Sequence, residues 1–281
     1  MYTQYQPVVS DLIFSDNGGS GATTGISGVQ VFTPYRFELN SNGYYESQNF
    51  GIHYSFAIAK VAFSTTAANQ TVTFQYINSG EGSCDFGIFG ALDKTMDYSY
   101  ATTDPNQHLK ITTNSTSAYT TSYSVATAGS HFIYVKYRKD VSVNSGNDSL
   151  QFKCTTHTIT VTSPYQTFVN SSGYYETKNN GIHASYAMSK IQFTATAGAT
   201  LNIDYICYAE SGFDYVQFGN VDAVLDENYS SSTNVNTSVT SSSSSVRRFS
   251  YTNFVDTEIA GFAINTGHFT IGGRLVNFSP I

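Results

Sequence analysis

The sequence has no tryptophan, only three cysteines and five prolines, and few charges of either sign. Charged residues make up 12% of the chain, about half the share of an ordinary soluble domain. Basic groups are the scarcer kind, 13 Lys and Arg against 20 Asp and Glu, for a formal net charge of −7. That deficit argues against nucleic acid and anionic membrane surfaces as partners, since both require a basic face. No apolar run is long enough to span a bilayer. No window carries a sustained apolar stripe at helical spacing. The opening Met1-Tyr2-Thr3-Gln4-Tyr5-Gln6-Pro7 offers neither the basic nor the apolar region of a signal peptide, so no export leader is expected.

The chain is instead rich in Tyr, Phe, Ser, Thr, Asn and Gly. Aromatic and β-branched side chains favour strands, and Gly and Asn favour the turns between them. The expectation is an all-β protein. Gly43-Tyr44-Tyr45-Glu46-Ser47-Gln48-Asn49-Phe50-Gly51-Ile52-His53 returns as Gly173-Tyr174-Tyr175-Glu176-Thr177-Lys178-Asn179-Asn180-Gly181-Ile182-His183. Lys60-Val61-Ala62-Phe63 returns as Lys190-Ile191-Gln192-Phe193, and Val72-Thr73-Phe74-Gln75-Tyr76 as Leu201-Asn202-Ile203-Asp204-Tyr205. A period of about 130 residues is far longer than a solenoid unit and implies a duplicated domain. Each copy is long enough for a β-sandwich with its own core.

Three segments follow: an N-terminal arm over 1–36, a first module over 37–163 and a second over 164–281. The arm shows no counterpart in the second copy. It reads either as a loose tail plus one added strand or as an attachment arm docking the modules to a larger assembly. Val72, Phe74 and Tyr76 alternate with Thr73 and Gln75, the period of a strand buried on one face. Phe56 and Ile58 share one parity, and Val61 and Phe63 the other, which predicts a bulge near Ala59-Lys60 and likewise near Ser189-Lys190. The polar stretches 97–122 and 227–245 read as exposed loops with at most short strands. Module two has nothing to match Lys139-Asp140 or Gly146-Asn147-Asp148. It is expected to lack a terminal strand, leaving an edge for a neighbour to cover. Oligomerisation follows, and a homotrimer suits a fibre-like part.

Cys84, Cys154 and Cys207 fall at unmatched places in the two copies. A disulfide framework would have been copied with the domain, so three free thiols in a protein folded in a reducing compartment are expected. The composition is nevertheless that of an extracellular adhesin. A phage virion protein reconciles the two, because it folds in the cytoplasm and leaves by lysis. Secretion as a bacterial adhesin or carbohydrate-binding protein is the alternative.

Two stretches carry a resemblance. Tyr137-Arg138-Lys139-Asp140-Val141-Ser142-Val143-Asn144-Ser145-Gly146-Asn147-Asp148, with the loop Ala209-Glu210-Ser211-Gly212-Phe213-Asp214-Tyr215, resembles jelly-roll modules of gut bacterial surface proteins related to cleaved-adhesin and MAM-like domains. Gly43-Tyr44-Tyr45-Glu46-Ser47-Gln48-Asn49 resembles repeats in appendage proteins of gut bacteriophages. The resemblance implies antiparallel jelly-roll sandwiches used for surface adhesion or display.

Chemistry is sparsely signalled. Glu46 with His53, repeated as Glu176 with His183, is the best acid/base pair, but a His beside a Gly turn commonly bonds a backbone carbonyl. There is no His-Glu-x-x-His, Gly-x-Ser-x-Gly or phosphate loop, and no enzyme is expected. Glu81, Asp85, Asp140 and Asp148 could supply oxygen ligands to calcium, with Glu210 and Asp214 as the counterparts in module two; turn capping is the competing role. Without Trp, Tyr44, Tyr45, Tyr174 and Tyr175 are the aromatic platform a host-surface glycan could use, against a packing role.

Overall fold

The computed structural model describes residues 26–32, 34–81, 84–96, 103–140, 147–165, 167–169, 175–179, 182, 185–195, 201–207, 216–221, 235–240, 243–251 and 258–266. Every regular element among them is a strand, and all strand pairs are antiparallel. Among the described residues no helix is long and apolar enough to cross a membrane. The strands run β1 (Ile26–Phe32), β2 (Phe37–Leu39), β3 (Tyr45–Ser47), β4 (Phe56–Thr65), β5 (Gln70–Ser79), β6 (Phe86–Gly90), β7 (Gln107–Ile111), β8 (Tyr119–Val125), β9 (Gly129–Arg138) and β10 (Ser149–Cys154). They continue as β11 (Ile159–Thr162), β12 (Thr167–Val169), β13 (Tyr175–Thr177), β14 (Ser185–Ala195), β15 (Leu201–Cys207), β16 (Val216–Val221), β17 (Val235–Val239), β18 (Ser243–Tyr251) and β19 (Glu258–Thr266). One compact unit holds the described residues from Pro34 to Pro164. The other holds those from Tyr165 onward together with β1.

The first unit is sandwich-like, with sheets ordered β2-β3-β10-β5-β8 and β11-β4-β9-β6-β7. Alternation decides which side chains meet between them. In β5, Val72, Phe74 and Tyr76 are buried while Thr71 is exposed and Thr73 and Gln75 are half-buried. Phe74 sets its ring 6.3 Å from Phe63 and 5.9 Å from Phe89, both on the opposite sheet. Phe89 in turn meets Phe152 edge-on at 6.1 Å. Each such ring removes a large apolar surface from water, worth roughly 1.5–3 kcal/mol, and the edge-to-face contacts add to it. Gly87 supplies the opposite: a Cβ there would stand 3.0 Å from Leu150 on the facing sheet, so the missing side chain is what lets Leu150 in.

The bulge expected at Ala59-Lys60 is absent. β4 pairs with β9 in one unbroken register, from Phe56 opposite Arg138 to Thr65 opposite Gly129. The parity switch has another cause: Phe56, Ala57, Ile58 and Ala59 are all buried, so this end of β4 is covered on both faces. The polar stretches hold only short strands, β7 and β17, and the first residues of β8 and β18.

In the second unit the principal sheet is ordered β1-β14-β19-β16-β17, beside the two-stranded sheets β12-β13 and β15-β18. Among the described residues no strand joins these two small sheets, whereas β10 joins β3 to β5 in the first unit. The edge of β14 is covered by the chain's own leading strand. Phe32, Val31 and Gln30 of β1 pair with Lys190, Ile191 and Gln192. Thr162, Val161 and Thr160 of β11 pair with Lys60, Val61 and Ala62 in the matching register. The residues that follow also match, Thr33-Pro34-Tyr35 with Ser163-Pro164-Tyr165. Tyr35 bridges Ala57 as Tyr165 bridges Ala187. The leading segment therefore does have a counterpart, and it is β11 with its Pro-Tyr exit.

Phe74→Ala is expected to lower the stability of the first unit by about 3–5 kcal/mol, read from the denaturant midpoint of its unfolding transition. Deleting residues 1–33 is expected to abolish hydrogen-exchange protection on the exposed edge of β14 while leaving β4 and β9 protected; equal protection of β14 in both chains would count against β1 as its partner.

Candidate functional site

The acids gathered at one end of the first unit come from four strand ends. β5 stops at Ser79 and leads into the loop carrying Glu81, Cys84 and Asp85, and β6 starts at Phe86. β9 stops at Arg138 and is followed by Lys139 and Asp140, while Asp148 precedes β10. The two sheets meet here through backbone bonds. The Asp85 carboxylate accepts the Asp140 N–H at 2.8 Å and the Glu81 N–H at 3.4 Å. Arg138 Nη1 donates to the Cys84 carbonyl at 3.1 Å, and the Lys139 N–H to the Ser55 carbonyl at 2.8 Å. The Asn147 N–H donates to Ser79 Oγ at 3.0 Å, which fixes the approach to β10.

Glu81, Asp85, Asp140 and Asp148 are thus brought together, but a fifth residue stands among them. The Lys139 ammonium contacts the Asp148 carboxylate and lies 3.9 Å from Asp85 Oδ2. Lys139, Asp85 and Asp148 are all buried, as is the Tyr137 hydroxyl, which has no hydrogen-bond partner. Burial pulls the Lys139 ammonium below its usual range, against the opposing pull of Asp85, Asp140 and Glu81. Burial likewise pushes the Tyr137 phenol up, with Asp85 adding to the effect. Nearer the surface, donor atoms of Glu81, Cys84 and Asp140 lie within 4.8 Å of one another. Calcium takes six to eight oxygen ligands. Here the inner carboxylates face an ammonium, and the outer set includes a soft thiol that a hard cation does not favour. The arrangement suits an internal cation better than a bound one.

The repeated Tyr-Tyr-Glu segment is built into the packing. Tyr45 stacks on Phe152 at 5.7 Å, and the Tyr44 hydroxyl donates to Gln75 Oε1 at 2.7 Å beneath the Lys153 ammonium, 4.2 Å from its ring. The Glu46 carboxylate accepts from Asn40, Ser149 and Gln151 at 3.1, 2.9 and 2.7 Å. Its oxygens therefore serve as a junction between β3 and β10, and no hydrogen bond joins it to His53, whose buried Nδ1 has no partner. The rest of the motif is a turn lock. Asn49 Nδ2 donates to Ser55 Oγ at 3.0 Å, and that hydroxyl donates to the Ile52 carbonyl at 2.6 Å. In the second unit Asn179, Ser185 and Ile182 make the same pair of bonds at 3.2 and 2.6 Å. Tyr175 opens β13 and Glu176 follows it; Tyr174, His183, Glu210 and Asp214 lie outside the described residues.

Sequence reasoning missed the pair formed by Asp93 and His131. His131 Nδ1 lies 2.8 Å from Asp93 Oδ2, and its Nε2 lies 3.1 Å from the Thr127 carbonyl. Both neighbours are acceptors, so the protonated ring is the form that satisfies both, and Asp93 raises the imidazole's pKa above its usual value. The second copy does not repeat the pair: Asp222, outside the described residues, matches Asp93, but Glu258 stands opposite Phe193 where His131 stands opposite Phe63. Comparison with protein-family models, with curated proteins and with solved structures returns no match.

The pair carries a pH signature. A group whose folded pKa is raised stabilises the fold fully below its unfolded value, near 6.5 for histidine. That contribution is lost as pH rises through the folded value. The urea midpoint of the first unit is expected to fall as pH rises above about 6.5, and Asp93→Asn to flatten that part of the profile.

Proposed function

We propose that the chain is a non-enzymatic structural protein of a bacteriophage virion, a fibre or decoration component of head or tail. In this reading two tandem jelly-roll modules, descended from an internal duplication, are displayed for assembly and for adhesion to the host surface. One observation carries it: a sandwich-like protein with the sparse charge and abundant Tyr, Ser, Thr and Asn of an extracellular adhesin holds Cys84, Cys154 and Cys207 outside any disulfide. Exported proteins of this kind are commonly stapled by disulfides, and cytoplasmic folding keeps thiols reduced. A virion protein meets both conditions, since it folds inside the cell and acts outside it.

Supporting detail comes from the charged and aromatic residues. Glu46 is consumed by three hydrogen bonds, and the buried acids at the end of the first unit surround a lysine. These are uses that hold a display module together. The partners of this reading are further copies of the chain, a trimer being suited to a fibre, other virion proteins met through the N-terminal arm, and glycans of the host surface.

Immunogold labelling of purified particles with antibody against the recombinant chain is the direct test. Label on the heads or tails of intact virions is expected. Its absence from particles, with the protein recovered from the surface or medium of uninfected cells, would replace this reading with that of a secreted bacterial adhesin.

A further inference from the structure

We propose that Lys139 and Asp148 are joined by an intramolecular isopeptide bond, made without any cofactor by the acidic pocket that surrounds them. The two side chains are in contact, and their side-chain exposures are 1% and 4%. Both are positioned by hydrogen bonds that do not depend on their own charges. Lys139 hangs from the Ser55 carbonyl, and Asp148 stands between Asn147, bonded to Ser79, and Ser149, bonded to Glu46. Asp148 adopts a left-handed backbone with φ of 56°, unusual for a residue with a side chain. Reactive groups held this way begin near the geometry of attack.

As a plain ion pair the arrangement is incomplete. A buried carboxylate next to an ammonium is stable only when its other lone pairs are also satisfied. Oδ2 of Asp148 meets the Lys139 ammonium, but its Oδ1 accepts no hydrogen bond. Condensation removes that defect: two buried charges become one neutral amide, and a water molecule leaves. Burial also favours the uncharged amine, the nucleophilic form of lysine.

The step balances with the residues present. Lys139 Nζ attacks Cγ of Asp148, and the Nζ–Cγ bond forms as the Cγ–Oδ2 bond breaks. The two protons lost from the ammonium leave with that oxygen as water, and nothing is oxidised or reduced. Asp85, 3.9 Å from Nζ and held by the N–H groups of Asp140 and Glu81, is the relay that takes a proton from the nitrogen and returns it to the departing oxygen. Lys139 follows β9 in one sheet and Asp148 precedes β10 in the other, so the amide is a covalent tie between the two layers. The second copy has no residues matching Lys139 and Asp148, so one such bond is expected per chain. The inference stands on this pocket alone and is independent of the virion reading.

Intact mass spectrometry of the full-length chain, unfolded and reduced, tests it. The expected mass is one water below that of the sequence. Trypsin should then fail to cut after Lys139 and release residues 139–153 as one peptide carrying the whole deficit. Lys139→Arg and Asp148→Ala are each expected to restore the full mass, and Asp85→Ala to leave most chains uncondensed. The wild-type chain alone decides the matter if a variant fails to fold. A full-mass wild type, a deficit mapped to another peptide, or a deficit that persists in Lys139→Arg would each overturn the assignment.

Discussion

The packing of phenylalanine and tyrosine rings between two sheets is the constraint on which the first unit rests. With no tryptophan available, the interior is filled by Phe63, Phe74, Phe89 and Phe152, which interlock across the gap largely edge to face. Ring pairs of this kind set the spacing of the layers and hence where each strand must end. The loop after β5, the tail after β9 and the entry to β10 are brought to one end of the sandwich because their strands are fixed by that core. The polar groups there inherit their positions from apolar packing far below them.

Electrostatics then takes over at that end. Two of the four acids, Asp85 and Asp148, are buried where low dielectric makes each charge expensive. Lys139 is drawn in as the compensating charge, while Asp85 is tied down by two backbone N–H groups. A covalent tie there would act on the layers as a disulfide does on a secreted domain, in a protein whose cysteines form no disulfide. The repeated motif has a different task. Its asparagine, serine and isoleucine make one turn lock in both units, which accounts for the motif's recurrence without any chemistry.

How much of this was legible in the sequence depends on how local the cause is. The strand character of β5 was plain because Val72, Phe74 and Tyr76 alternate against polar neighbours, a signal complete within five residues. The parity switch in β4 was visible but misleading. Alternation presumes one wet face, and Phe56 to Ala59 have none. Thr33-Pro34-Tyr35 matched Ser163-Pro164-Tyr165 all along, yet the matching rule there lies in three residues flanked by unlike ones. The pairing of β1 with β14 was out of reach, because nothing near Val31 names a partner so distant in the chain. The acids at 81, 85, 140 and 148 suggested a common site. That Lys139 would be the cation among them was hidden, since a lysine beside an aspartate usually means solvent.

The placement of β1 has a consequence for biosynthesis. Of the described strands it leaves the ribosome first, yet β14 is made only after the body of the first unit, a delay on the order of ten seconds. During that wait the edge of β4 is also vacant, because β11 has not yet emerged, and it presents the same register that β14 will later offer. The nascent chain therefore holds an early suitor and an early vacancy that fit each other. Reaching the finished arrangement requires β11 to claim the β4 edge on arrival and send β1 onward to its later mate.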